Sequence, residues 1–269
     1  MQNELLTFVQ DTAVSAGKLT LEKWQEPLTI SEKGYHDLVT SSDIAAQAHI
    51  AKRVMERYPT HGFLGEEDDD SLPSEGELIW IIDPIDGTTN YSRHQPQFAV
   101  SIGVGKPIQA TEAHLTQYEL LAGAIYDPGR DELFSAAKGE GAWLNGRSIK
   151  ASGQTELEHA IIGMDFSTNK RTGRSSKDVA LKLANQIHGI RVLGSAAIAI
   201  AWVTAGRFDA YINYNLKPWD VAAGFLLATE AGGAYTNDFG EPIIWDRRGM
   251  DCVISTGQFH QDIIKALQA

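Results

Sequence analysis

Apolar residues recur at intervals of three and four positions in several parts of the chain, a spacing typical of amphipathic helices. The first such part spans residues 5–19. A second helix is expected to begin at Ser41 or Ser42, either of which can cap it, and to end before Pro59. Later patterns predict further helices over residues 180–188, 195–204, 221–231 and 259–267.

Short apolar runs bounded by turn residues predict strands. The run at residues 78–82 ends at Asp83, which suits a buried strand that delivers a carboxylate at its C-terminal end. The pair Asn145-Gly146, which follows the run at 132–136, is typical of a hairpin turn. Other runs predict a short strand within residues 33–40 and strands over 98–104, 120–126, 191–193, 208–212 and near Val253.

Interleaved helices and strands of this kind predict a layered α/β or α+β sandwich. At roughly 150 residues per domain, the length of 269 residues fits one large domain or two small ones that share a core. We expect a single domain over residues 1–269, with a candidate boundary near 145–160 that would divide it into subdomains 1–150 and 151–269.

The charge of the chain narrows the classes of partner. The chain has 23 Lys+Arg and 35 Asp+Glu, so its formal net charge is −12. This excess of negative charge argues against non-specific binding to nucleic acid or to an anionic membrane. A phosphate-bearing substrate remains compatible with it if cations are recruited at the site.

The single cysteine, Cys252, excludes an internal disulfide framework and a multi-Cys zinc site. One thiol fits a reducing cytoplasm. We find no stretch of the roughly 18–20 apolar residues that a membrane-spanning helix needs. We therefore expect a cytoplasmic protein with no membrane partner.

The octamer that follows the predicted strand at 78–82 has the sequence DPIDGTTN. It places Asp83 and Asp86 three residues apart across a proline-containing turn, followed by a glycine that permits close backbone approach. The two carboxylates, the Ile85 carbonyl and the Thr88 hydroxyl can converge on one point. Oxygen ligands of this kind suit Mg²⁺ or Ca²⁺ rather than zinc or copper. For a bare D-P-x-D-G pattern, the alternative is an Asx-type turn that caps a helix.

An acidic segment begins at Gly65 and continues through Glu66 and Glu67 to three aspartates at 68–70. A solvated acidic loop explains such a run by itself. The functional alternative makes Glu66 a further metal ligand, because dense carboxylates need a cation or water to offset their repulsion. Glu67 is a weaker candidate, and we expect residues 68–70 to be solvated.

Two further motifs precede predicted helices. In Trp219-Asp220, the aspartate stands where a helix should begin, so it is either an N-cap or a functional carboxylate. In Gly194-Ser195-Ala196, free backbone N–H groups at a helix start can hold a phosphate or a sugar hydroxyl, although close helix packing also explains the small residues.

Together these motifs resemble the inositol monophosphatase family along nearly the whole chain. The segments GEE, WIIDPIDGTTNY, GSA, WDVAAG and TEAGG stand in the order and spacing of that family. Lys33 and residues 37–43 resemble its mobile N-terminal metal-site loop. The resemblance implies a Mg²⁺-dependent, Li⁺-sensitive phosphomonoesterase, commonly a homodimer, with an α-β-α-β-α sandwich and two or three Mg²⁺ ions per active site.

The resemblance also implies roles for individual residues. One Mg²⁺ would be surrounded by Glu66, Asp83, the Ile85 carbonyl and Thr88, and a second would be held by Asp83, Asp86 and Asp220. Glu66 and Thr88 would orient the attacking water, and Asp86 belongs with these catalytic groups. The alkoxide would depart near Asp220, while the backbone amides of Gly87 and Thr88 contact the phosphoryl group. The pocket for the alcohol would be lined by Gly194, Ser195, Ala196 and Asn213.

Position 213 departs from the animal-type members, which carry a glutamate seven residues before the W-D aspartate. Asn213 weakens a strict inositol assignment and should tolerate additional phosphates better. The alternative function is therefore a broad bacterial-type phosphatase that acts on fructose 1,6-bisphosphate, NADP or 3′-phosphoadenosine phosphate. A catalytically inactive metal-binding regulatory protein is the alternative from a different class.

Overall fold

The computed structural model describes residues 2–34, 37–67, 69–112 and 115–268. Helices within this part are α1 (Gln2–Lys23), α2 (Ser41–Arg57), α3 (Thr88–Ser92), α4 (Ser176–Leu183), α5 (Ala196–Thr204), α6 (Pro218–Glu230) and α7 (His260–Gln268). Among the described residues, no helix has both the length and the apolar character that crossing a bilayer requires.

The strands of the first half form two sheets. A small hairpin pairs β1 (Ile30–Gly34) with β2 (Asp37–Thr40). A seven-stranded sheet then follows the chain in order, with β3 and β4 parallel and the other neighbours antiparallel. Its strands are β3 (Gly62–Gly65), β4 (Ile79–Asp86), β5 (Ala99–Glu112), β6 (Leu115–Asp127), β7 (Glu132–Ala137), β8 (Gly141–Leu144) and β9 (Arg147–Ile149).

The second half supplies a smaller, mixed sheet. In chain order the strands of the second half are β10 (Ile161–Met164), β11 (Thr168–Asn169), β12 (Arg174–Ser175), β13 (Gly189–Arg191), β14 (Ala210–Leu216), β15 (Gly233–Thr236) and β16 (Met250–Thr256). Five of these form the sheet in the order β13-β10-β14-β16-β15, and β11 pairs with β12 as a separate short hairpin. The strands β13, β10 and β14 run parallel.

The layers stack as α-β-α-β-α, which confirms the predicted fold class. Helices α1 and α2 cover one face of the large sheet, α5 and α6 fill the space between the two sheets, and α4 and α7 cover the outer face of the small sheet. Among the described residues, five buried clusters form the core, and the central layer contributes residues such as Ile200 and Phe225. Because α6 packs on both sheets, we propose that the halves 1–150 and 151–269 fold as one domain.

Several predicted boundaries were wrong. The segment 62–65 forms β3, which was not predicted, since its two glycines and four-residue length give little strand signal. The strand β10 was also missed, and the strand expected at 191–193 lies at 189–191. The helix expected at 180–188 begins and ends earlier, at 176–183. Tertiary pairing rather than local pattern sets these short elements.

One histidine couples this fold to pH. The ring of His260 is buried, with its Nδ1 2.7 Å from the Ser255 hydroxyl and its Nε2 2.9 Å from the Thr236 hydroxyl. Burial lowers the pKa of His260 below its ordinary value of 6.5. The pKa of His260 is therefore higher in the unfolded chain than in the folded protein. The folded state keeps its full stability at a pH above the unfolded-state pKa, where the ring is neutral in both states. It loses stability as the pH falls from the unfolded-state pKa toward the folded-state pKa, because the unfolded chain takes up the proton first.

In the His260→Gln variant, we expect the free energy of unfolding to fall less than in wild type between about pH 7 and pH 5. The measurement is the free energy of unfolding in urea at several pH values for wild type and variant. An unchanged pH dependence would show that His260 does not titrate differently in the two states.

Candidate active site

A β-bulge in β4 brings the two aspartates of the DPIDGTTN segment together. Asp83 pairs with Ser101 and Asp86 pairs with Ala99, so three steps along β4 match two along β5. On a regular strand, residues three apart point to opposite faces of the sheet. The extra residue of the bulge restores both carboxylates to one side, and the Ile85 amide donates to Asp83 Oδ1 at 3.1 Å. The predicted end of this strand at Asp83 was therefore three residues too early.

Three carboxylates meet at this point. Asp83, Asp86 and Asp220 each offer an oxygen, and these oxygens lie within 4.8 Å of one another. Burial raises the pKa of Asp83 well above its ordinary value, and the negative charges of Glu66, Asp86 and Asp220 raise it further. Burial likewise raises the pKa of Asp220, and it raises that of Asp86 to about 6. The charge of Lys217 lowers the pKa of Asp220 in part, but burial outweighs it.

The cluster opens into a cleft of about 250 Å³. Its lining in the described part of the chain contains no lysine, arginine or histidine. Buried carboxylates without a cationic side chain are the environment that binds hard divalent cations such as Mg²⁺. The lining comprises Glu66, Asp83, Ile85, Asp86, Gly87, Thr88, Asp165, Gly194, Ala196, Asn213, Leu216 and Asp220.

The acidic segment contributes one residue to the cleft. Glu66 directly follows β3, and its amide donates to the Ile82 carbonyl at 3.0 Å, which fixes it beside β4. Glu67 lies in a different cavity, where its backbone exchanges hydrogen bonds with the Gln47 side chain. Asp69 and Asp70 are exposed, as predicted, and Asp68 lies outside the described residues.

Thr88 is held by an aspartate that sequence analysis did not single out. Its hydroxyl lies 3.0 Å from the Ile85 carbonyl and 3.2 Å from Asp43 Oδ1. Asp43 is buried in the first turn of α2, and its other oxygen accepts the amide and the hydroxyl hydrogen of Thr40. The pattern T-S-S-D, typical of a helix start, was the available signal. The side chain of Lys33, in the same N-terminal region, lies outside the described part.

Asp86 joins the large sheet to α5. Its carboxylate accepts hydrogen bonds from the Ser195 hydroxyl and from the amides of Ala196, at 3.2 Å, and Ala197, at 2.9 Å. The expectation that the N–H groups at this helix start are free for a ligand was therefore wrong, because Asp86 occupies them. Ser195 is buried beneath the cleft and caps α5, whereas Gly194 and Ala196 line the cleft as predicted.

Asp220 supports a helix start and also belongs to the carboxylate cluster. Helix α6 has its N-cap at Lys217, so the N-cap alternative for Asp220 was wrong. Asp220 is instead the third residue of α6, and its Oδ2 accepts the Lys217 amide at 2.7 Å. A carboxylate has two oxygens that can each accept hydrogen bonds, so Asp220 can both stabilise the helix start and take part in the cluster.

Asn213 lines the cleft, yet its polar atoms are already engaged. Its Oδ1 accepts a hydrogen bond from the Ser167 hydroxyl, and its Nδ2 donates to the Tyr211 hydroxyl at 2.7 Å. The side chain is only 5% exposed. Asp165 is a cleft residue that sequence analysis missed, because it follows β10, which was itself not predicted.

Comparison with known proteins agrees with this geometry. The sequence model of the inositol monophosphatase family matches residues 1–269. Inositol-1-monophosphatase of Bacillus subtilis (strain 168) is 39% identical over 229 residues, 84% of this chain and 83% of the relative. Nus factor SuhB of Escherichia coli (strain K12) is 37% identical over 232 residues, 85% of this chain and 83% of the relative.

Solved structures show the same fold. The extragenic suppressor protein suhB of Bartonella henselae superimposes with a TM-score of 0.87 at 31% identity and covers 98% of each chain. A structure titled IMPase/NADP phosphatase complexed with Mg²⁺ and phosphate superimposes with a TM-score of 0.79 at 27% identity, over 95% of this chain and 92% of that one.

Proposed function

Because the chain belongs to the inositol monophosphatase family, we propose that it hydrolyses small phosphate monoesters, with inositol monophosphate or a related polyol phosphate as substrate. The observation that carries the proposal is the meeting of Asp83, Asp86 and Asp220 in one cleft with Glu66 and Thr88. With divalent cations bound, such a cleft would supply what phosphoryl transfer needs, namely strong charge neutralisation and fixed positions for the reacting groups.

The same residues fit the implied ions. Glu66, Asp83, the Ile85 carbonyl and Thr88 would hold one Mg²⁺, and Asp83, Asp86 and Asp220 would hold a second. Bound divalent ions supply positive charge for the phosphoryl oxygens and lower the pKa of water. The number of ions, two or three, is part of the proposal.

The side chains of the cleft then position the reactants. Because the Thr88 hydroxyl donates to the Ile85 carbonyl or to Asp43, its lone pairs can accept a hydrogen bond from the attacking water. The Glu66 carboxylate accepts the other hydrogen and takes part in deprotonation. Asp43 is a positioning residue, since it acts through Thr88. The Gly87 and Thr88 amides would contact the phosphoryl group, and Asp220 lies where the alcohol departs.

Phosphate release from a panel of esters tests this proposal. We expect wild type to hydrolyse at least one polyol monophosphate in Mg²⁺ and to lose at least about 100-fold of this activity in EDTA, because the carboxylates cannot neutralise phosphate themselves. Activity that persists in EDTA would contradict the metal-dependent mechanism. Mg²⁺ binding without hydrolysis of any ester would favour the inactive metal-binding protein.

A second candidate function rests on Asn213 and on two similar structures that are named IMPase/NADP phosphatase. In that case fructose 1,6-bisphosphate, NADP or 3′-phosphoadenosine phosphate would be the better substrate. Ranking the panel by kcat/KM separates the two candidates. By resemblance to the family, we also propose that Li⁺ inhibits the protein, that it forms a homodimer and that it is located in the cytoplasm.

A further inference from the structure

A carboxylate that the proposed mechanism does not use lies on the wall of the cleft. Asp165 directly follows β10, at the C-terminal end of the parallel strands β13, β10 and β14. Ligands of α/β sheets commonly bind beyond this end of the strands. Asp165 lines the same cleft as Asp86.

The side chain of Asp165 is fixed by neutral donors on separate segments. Its Oδ1 accepts the Gly194 amide at 2.8 Å, and its Oδ2 accepts the Tyr211 hydroxyl at 2.7 Å. Each carboxylate oxygen can accept two hydrogen bonds, so both retain accepting capacity. Asp165 is partly exposed, and Tyr211 beneath it is fully buried. The result is a pre-oriented negative acceptor at the cleft surface.

Asn213 contributes to that orientation. Its Nδ2 donates to the Tyr211 oxygen, and the Tyr211 hydrogen therefore points to Asp165. An ionised glutamate at position 213 could not make this donation. The carboxylate on this wall of the cleft thus belongs to Asp165, and the Asn213 amide helps to orient it through the Tyr211 hydroxyl.

We propose that Asp165 is a specificity-determining residue: its carboxylate accepts hydrogen bonds from hydroxyl groups of the alcohol portion of the substrate, and its charge disfavours a second phosphate there. The substrate class is then a polyol monophosphate. This inference rests on the proposed phosphatase function and reverses the sequence-based expectation that Asn213 leaves this wall without negative charge.

The test uses Asp165→Asn, which removes the charge and keeps the shape of the side chain. Its kcat/KM is measured for the polyol monophosphate that wild type hydrolyses best, for fructose 1,6-bisphosphate and for 4-nitrophenyl phosphate, which offers no hydroxyl. The matched control is Asp178→Asn, an exposed residue of α4 in the outer layer. A second neutral variant, Asp165→Ser, guards against a folding defect of the first.

We expect Asp165→Asn to lower kcat/KM for the polyol monophosphate about tenfold, mainly through KM, while turnover of 4-nitrophenyl phosphate stays within about twofold. The ratio of monophosphate to bisphosphate kcat/KM should fall at least about tenfold, and the Asp178→Asn control should change neither value. The Ser variant should shift the same ratio.

Equal losses on all three esters, or unchanged ratios in both neutral variants, would overturn the assignment of Asp165. The proposed function fails in a different way. If wild type hydrolyses none of the esters in Mg²⁺, the phosphatase assignment is wrong and the role of Asp165 falls with it.

Discussion

Asp83→Asn is expected to lower kcat by at least about 100-fold, the largest effect of any single substitution that we predict. Asp83 lies at the centre of the carboxylate cluster, where Glu66, Asp86 and Asp220 all raise its pKa. In the proposed mechanism Asp83 would help to hold both ions. The neutral amide removes that shared charge from the transition state, so kcat should fall more than substrate binding.

The fold should survive this substitution. Asparagine has the same shape, and its Oδ1 can still accept the Ile85 amide. Removing one of several mutually repelling buried carboxylates should leave the melting temperature in EDTA unchanged or higher. Phosphate release and thermal melting are measured on the same preparation, with the exposed Asp69→Asn as the control. Turnover close to wild type in Asp83→Asn would contradict the two-metal mechanism.

Asp220→Asn carries the second-largest expected effect, a loss of at least about tenfold in kcat/KM together with weaker Mg²⁺ binding. Its amide oxygen can still accept the Lys217 N–H at the start of α6, so the helix keeps its capping interaction. The melting temperature in EDTA should therefore stay nearly constant while activity and metal affinity fall.

Asp262→Asn is the matched control, because Asp262 is also the third residue of its helix, α7, and lies at the surface with Lys265. Calorimetric titration with Mg²⁺ and phosphate release should distinguish the two variants. If Asp220→Asn keeps wild-type kinetics and loses only stability, Asp220 serves the helix and not the reaction.

The residues of the candidate metal site stand out in the sequence because the signal is local. Asp83, Ile85, Asp86 and Thr88 fall within six positions after an apolar run, so one segment of sequence contains most of the site. The longer helices were predictable for a similar reason, since several turns repeat one apolar face. Even here the sequence indicated a turn at Pro84, whereas the structure shows a bulge in a continuing strand.

The missed residues depend on contacts that span the chain. Asp165 gains its orientation from Tyr211, 46 positions away, and from Gly194, 29 positions away. Asp43 meets Thr88 across 45 positions. A lone aspartate after the four-residue strand β10 carries no periodic signal, and its role emerges only once the strand order of the small sheet is known.

The hydrogen bonds of Asp86 to α5 bear on how copies of this gene could diverge. Loss of Asp86 would leave the hydroxyl hydrogen of Ser195 and two amides without an acceptor in a buried helix start, at a cost of about 1–3 kcal/mol for each unsatisfied group. A lineage released from selection for turnover could replace Glu66 or Thr88 without this penalty, yet folding would still retain the aspartate at 86. In a diverged copy, a replaced Glu66 or Thr88 therefore indicates that the reaction has been lost, and an intact Asp86 indicates only that the large sheet remains joined to α5.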